Sequence, residues 1–339
     1  MNDRVARLTG ALSKAALGIE IGPYFNPLVP KRQGYNSLSI DVFDGQTLRR
    51  LAESDPNIPN EVIANIEDVD IIGSAAEIED VIRARQQLGT FDYIISSHNF
   101  EHIPDPIRFL QGCEAVLKEG GQLIMAIPEK RACFDYFRPV SSLDEMLLAF
   151  REKRRRPSIE QLFRQHIYWE QIHRDGAPLA GWSIDDNPRE IVPHFSLENA
   201  FGIWKSQTEN PDEIYRDTHC WAFTPSSFEL IIRDLVYLGL VRFEVESISC
   251  AYGNEFYARF KKTAGSALSA EECTEYPARR TALLLRVMDE LSLNSPIVFS
   301  HRMKAEQRLN GQETPAELRE ANHSTSLRTW VRRILRRLS

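Results

Sequence analysis

Five short β-branched or aliphatic runs, Leu17 to Ile21, Ser37 to Val42, Val69 to Ile72, Phe91 to Ser96 and Gly121 to Ile127, alternate with stretches of helical pattern. Parallel strands cannot be joined by a tight hairpin and need a crossover, usually a helix, so this alternation confines the first half to a parallel sheet covered by helices. Between the last two runs, "DPIRFLQGCEAVLKEGG" has Asp105 as a cap, Pro106 in the first turn and Gly120 after the last one. Repeated crossings of this kind predict a doubly wound, Rossmann-like α/β sheet.

The pattern stops after Pro128. Residues 129–216 are aromatic and charged, contain "REKRRRP", Trp169, Trp182 and Trp204, and show no clear strand alternation. It resumes at "HCWAFTPSSFELIIRDLVYLGL", read as a short strand, a Thr224 cap, Pro225 at the first helical position and a helix ended by Gly239. Two further strands, in "VRFEVESISC" and "NEFYARFKK", read as an antiparallel edge pair turning at Gly253. The chain thus divides into a core (1–128 and 217–262), a mostly helical insertion (129–216) placed as a substrate lid, and a helical extension (263–339). The extension ends in "LRTWVRRILRRLS", where Leu327, Trp330, Val331, Ile334, Leu335 and Leu338 share a helical face among five arginines and no acid. Such a stretch fits an anionic membrane surface or a partner protein.

A chain of 339 residues with net charge -7 is long enough for one large domain with insertions and is not a nucleic-acid binder as a whole. Five cysteines without a CxxC pair leave no complete disulfide framework. Nothing reads as a signal peptide or a spanning run of roughly 18 apolar residues. The expected place is the cytoplasm, at most peripheral to the inner face of the membrane, and an oligomer is compatible with the sequence.

In an open α/β sheet the ligand lies beyond the carboxyl ends of the strands, where the strand order reverses. The segment "GIEIGPYFNPLVPK" leaves the first strand there, with Glu20 at the strand end and Gly22 allowing a tight turn. The next glycine is Gly34, which argues against a G-x-G-x-x-G pyrophosphate loop. A cofactor lacking phosphates, such as S-adenosylmethionine, relaxes that demand while still needing an acid after the second strand for its ribose. Asp41 stands at that place, and with Glu20 it forms a pair in register.

Together with "FDYIISSHNFEHIPDP", "LKEGGQLIMAIPEKRACFDYFRP" and "HCWAFTPSSFELI", this segment resembles the class I S-adenosylmethionine-dependent methyltransferases, particularly those associated with bacterial polysaccharide and glycosyltransferase systems. The resemblance covers about residues 15–140 and 217–262, and the glycine-poor first loop departs from it. It implies that Glu20 and Gly22, with Pro23 and Asn26 shaping the turn, line the methionine side of the cofactor. It places Asp41 on the ribose, Gly73 and Ser74 near the adenine, and Ser97, His98 and His102 around the pocket. The acceptor it implies is a sugar hydroxyl of a surface polysaccharide, of O-antigen or capsule type, or its lipid-linked precursor.

Transfer to a hydroxyl needs a group that removes the proton. The candidates at the strand ends are His219, the first choice, with His98, Glu101 and Asp135. His98 and His102 have the spacing of a metal pair, yet no third ligand of matching spacing follows, so no metal is expected. Asp135 could instead pair with Lys130 or Arg131, and one or two tryptophans could stack on a sugar ring. Arg151 to Arg156 fits a solvated helix face better than a phosphate site. Two rival readings stay open: a non-catalytic methyltransferase-like scaffold, and an NAD-dependent sugar oxidoreductase, which lacks its usual Tyr-x-x-x-Lys pair.

Overall fold

The structure is a computed structural model that describes residues 3–209, 217–265, 268–293 and 295–309. After a short N-terminal helix α1 (Asp3–Thr9), the chain runs β1 (Gly18–Ile21), β2 (Ser37–Asp41), α2 (Gly45–Ser54), α3 (Asn60–Ile63), β3 (Ile71–Ile72) and α4 (Ile78–Ala84). It continues with β4 (Phe91–Ser97), α5 (Pro106–Val116) and β5 (Leu117–Pro128). These strands form one sheet of order β3-β2-β1-β4-β5, all parallel. Strand order reverses between β1 and β4, which opens the crevice at their carboxyl ends.

The local signals act as read. Asp105 accepts the Arg108 amide at 3.1 Å and Pro106 opens α5. β5 begins already at Leu117, across a register irregularity opposite Phe91 and Tyr93. The core is built where both sheet faces are covered: Ile19, Ile40, Ile94, Phe91, Leu123 and Ile127 are completely buried. Each such side chain removed from water contributes roughly 1.5–3 kcal/mol.

Residues 129–209 carry α6 (Leu143–Glu152), α7 (Ile159–Ile167) and α8 (Leu197–Glu209), which cover less than half of the stretch, so the insertion is less helical than expected. It also contains a small antiparallel sheet of β6 (Glu170–Arg174), β7 (Ala177–Leu179) and β8 (Val192–Pro193). These strands are short and partly exposed, with charge and proline in place of clean alternation, which is why the sequence did not show them.

The core resumes with α9 (Pro225–Tyr237), where the Thr224 and Ser227 side chains form a reciprocal cap. β9 (Phe243–Ile248) and β10 (Glu255–Lys262) complete a seven-stranded sheet, β10 lying antiparallel to both β5 and β9. The stretch before α9 is extended but is not a strand; its isolated bridge joins Phe223 to Glu129. A strand would need a continuous ladder, whereas here the carbonyls of His219 and Cys220 accept the Arg138 guanidinium. Helices α10 (Ala270–Leu293) and α11 (Pro296–Leu309) follow. The basic amphipathic stretch 327–338 lies outside the described residues. No helix among the described residues is long and apolar enough to cross a membrane.

Candidate active site

On one side of the crevice, β1, β2 and β3 end together. Gly22 adopts φ +58°, and a Cβ placed on it would meet nothing within 4 Å, so backbone borders open space here. The following loop is stiff despite its lack of glycine. The Pro23 carbonyl accepts the Asn26 amide at 3.0 Å, Tyr24 takes φ +44°, and Tyr24 and Phe25 pack on Leu48, Ala52 and Ile66. Glu20 is the clasp. Its two carboxylate oxygens accept the amides of Leu28 at 2.7 Å and Val29 at 3.1 Å. Burial pushes this acid up to about 7, against the lowering effect of those amides. Glu20 therefore shapes the loop from beneath, a different task from the ligand contact expected of it.

Asp41 closes β2 and pairs in register with Ile72 at the end of β3. Its Oδ1 accepts the Phe43 amide at 3.1 Å, and burial raises its pKa. Val42 is 58% exposed and Ile72 63%, an apolar surface on either side of a carboxylate at the mouth of the crevice. Gly73 donates its amide to the Asp41 carbonyl, and the Ser74 hydroxyl caps the turn at Ala76. An acid for two vicinal hydroxyls, flanked by apolar surface for a base and by open backbone after β1, fits an adenosine-bearing cofactor.

Across the crevice, the ends of β4 and β5 carry a different chemistry. His98 has φ +48° and its Nε2 lies 2.8 Å from Glu255, which also binds Arg4 at 2.7 Å. The Ser97 hydroxyl accepts from the same Arg4. Burial works to raise the Glu255 carboxyl, but the His98 and Arg4 hydrogen bonds outweigh it and hold the acid down at about 2. His98 and Ser97 thus join α1 to the sheet; His98 is engaged by an ionised acid and is poorly placed as a base.

The other candidates converge. Glu101 is 1% exposed, and neither carboxylate oxygen has a hydrogen-bond partner. His102 Nε2 lies 3.7 Å and His219 Nε2 4.0 Å from Glu101 Oε1. His219 Nδ1 meets Asp135 at 2.5 Å, and Asp135 in turn binds Arg138 at 3.1 Å. Asp135 is fully buried, which alone would raise its pKa; the charges of His219 and Arg138 reverse this and lower it. Its partner is Arg138, three residues on, instead of the Lys130 or Arg131 weighed from the sequence. Arg131 pairs with Glu129.

His102, expected beside the cofactor, turns its ring toward His219, edge to face at 4.7 Å, and its Nδ1 lies 2.9 Å from Asp217. Burial disfavours its charged form, but Asp217 and Glu101 raise its pKa overall. Phe134 lies 4.4 Å from the His219 ring and stacks on Trp169 at 4.2 Å, 7° from parallel. Trp221 is core instead, with its indole N–H donated to the Ile103 carbonyl at 2.6 Å. Asp217 and Arg138 were not singled out from the sequence. The available signal was their spacing, two residues before His219 and three after Asp135.

The chain is 37% identical over 49 residues to the ubiquinone biosynthesis O-methyltransferase of Xanthomonas axonopodis pv. citri, a match spanning 14% of this chain and 20% of that protein. Solved structures with a related outline include a SAM-dependent methyltransferase from Aquifex aeolicus (13% identity, 76% and 88% of the two chains, TM-score 0.36). Another is a putative S-adenosylmethionine-dependent methyltransferase from Listeria monocytogenes (10% identity, 77% and 97%, TM-score 0.36). The family described as "Methyltransferase domain" matches residues 2–234, well over half of the sequence. The chain belongs to this methyltransferase-domain family, and its cofactor is S-adenosylmethionine.

Proposed function

We propose that this methyltransferase acts on a hydroxyl oxygen of a sugar, in a surface polysaccharide unit or its lipid-linked precursor. The observation that carries the hydroxyl reading is the His219 imidazole, whose Nδ1 is held by a buried, ionised Asp135 and whose Nε2 lies 4.0 Å from Glu101 Oε1. With Nδ1–H donated to Asp135, Nε2 keeps its lone pair and can take a proton from an acceptor hydroxyl. Asp135 then stabilises the imidazolium, and Arg138 keeps Asp135 ionised.

Glu20, Gly22, Pro23 and Asn26 would shape the methionine side of the cofactor site, and Asp41 would hold the ribose hydroxyls. Val42 and Ile72 would cover the base, with Gly73 and Ser74 behind. Bound S-adenosylmethionine supplies a methyl carbon activated by its sulfonium. The residues of this chain orient the acceptor, exclude water and remove the proton, which suffices for an in-line displacement.

The stacked Phe134 and Trp169 rings support a ring-shaped acceptor lying against His219. The resemblance to polysaccharide-associated methyltransferases supports a sugar, and the basic stretch 327–338 supports peripheral membrane contact. To test this, methyl-labelled S-adenosylmethionine is incubated with the protein and nucleotide sugars, lipid-linked glycans or phenols. Label in the glycan fractions is the expected outcome. Label in phenols alone overturns the sugar acceptor, and no transfer with no binding of S-adenosylhomocysteine overturns the activity.

A further inference from the structure

Glu101, His102 and His219 each offer one donor atom, and the three atoms lie within 4.8 Å of one another. We infer that this cluster is a divalent transition-metal site, taking Zn2+ or Mn2+ through a Glu101 carboxylate oxygen and the Nε2 atoms of His102 and His219. The inference rests on the methyltransferase reading above and replaces one part of it: a cation there would bind and acidify the acceptor hydroxyl, whose proton would pass to solvent along the flank beside His102, with His219 as ligand in place of base.

The donors are prepared as metal ligands are. A carboxylate as deeply buried as that of Glu101 is normally hydrogen-bonded, yet neither oxygen has a hydrogen bond, while Oε1 lies 3.7–4.0 Å from the rings of His98, His102 and His219. Ligating histidines usually give their second nitrogen to a carboxylate. Here His102 Nδ1 is on Asp217 and His219 Nδ1 on Asp135, which leaves both Nε2 atoms on the Glu101 side, 3.7 and 4.0 Å from its Oε1.

The backbone around the cluster is pinned. The Glu101 carbonyl accepts the amides of Cys220 at 2.6 Å and Trp221 at 3.1 Å, and Arg138 holds the His219 carbonyl at 2.7 Å. Bonds of about 2.0–2.2 Å would require the donors to close by roughly 1 Å, a matter of side-chain rotation. The His102 side chain is 27% exposed, so one flank stays open to a further ligand, as in catalytic sites. Two imidazoles and one carboxylate suit Zn2+, Mn2+ or Fe2+, whereas Mg2+ favours oxygen and water. No single segment could show this set, since His219 joins the other two from more than a hundred residues away.

The test is calorimetric titration of metal-stripped full-length protein with Zn2+, with Co2+ as a visible-absorption probe and S-adenosylhomocysteine titrated into the same samples. One equivalent of Zn2+, visible Co2+ absorption absent from metal-free protein, and far weaker response to Mg2+ are expected. His102→Ala and Glu101→Gln should abolish both signals, and Asp217→Asn should weaken Zn2+ about 10–100-fold, all three keeping S-adenosylhomocysteine affinity. Absence of saturable Zn2+ binding, or wild-type binding in both His102→Ala and Glu101→Gln, overturns the site. Metal binding without S-adenosylhomocysteine binding supports the site and overturns the methyltransferase reading instead.

Discussion

The two sides of the crevice are made differently. The Asp41 side is assembled from neighbours in one register: β1, β2 and β3 end side by side, and backbone pairing alone brings Gly22, Asp41 and Ile72 to a common edge. Its apolar side chains stand open to solvent. The His219 side is buried and charged, and it draws Glu101 and His102 from the end of β4, Asp135 from beyond β5 and His219 from the approach to α9. A site made by strand register can tolerate exposed groups that a ligand covers. One made by converging loops needs internal partners, and Arg138, Asp217 and Gln165 supply them.

If this division is right, substitutions on the two sides should separate turnover from cofactor affinity. The largest effect belongs to His219→Ala. Loss of its imidazole, whether base or metal ligand, should lower kcat by about 10²–10⁴-fold while calorimetry shows unchanged S-adenosylhomocysteine binding; parallel loss of that binding would break the division.

Beneath the Asp41 side, Glu20 predicts a pH effect on stability. Its folded pKa of about 7 lies above its unfolded value, so the folded state binds more protons, and stability should fall as pH rises from about 4.5 through 7. The full loss is on the order of 3 kcal/mol. Urea unfolding at pH 5 and pH 8 should show it, and Glu20→Gln should flatten the difference. Equal wild-type stability at both values would mean that the Leu28 and Val29 amides outweigh burial.

The smallest change is expected from Asp41→Ala, which should weaken S-adenosylhomocysteine by about 1–3 kcal/mol and leave saturated turnover near wild type. Unchanged affinity would remove Asp41 from the cofactor site and leave Gly22 and the apolar rim to carry it.

Local chemistry was legible because it is written within a few residues. β-branched runs, the Asp105 and Thr224 caps and the glycine turns describe the sheet and its crossovers, and the parallel order follows from them. The acid after the second strand could be found by its distance from the first. The small sheet at 170–193 was not legible, since one charged strand and two very short proline-containing ones carry little alternation.

Only the tertiary structure settled which partners the charged residues take. The same histidine can be a base, a ligand or a strut depending on what its other nitrogen meets. Residues 98–102 illustrate this: His98 is turned to Glu255 and His102 to Asp217, though they stand four apart in one short segment. The sequence by itself determined a doubly wound sheet, the position of its crevice and the residue types at the rim, because these depend on local propensity and periodicity. The structure alone decided that Glu20 supports a loop, that His98 ties down α1, and that Glu101, His102 and His219 meet. Electrostatic partnership depends on distances of a few ångströms between segments that the chain order leaves far apart.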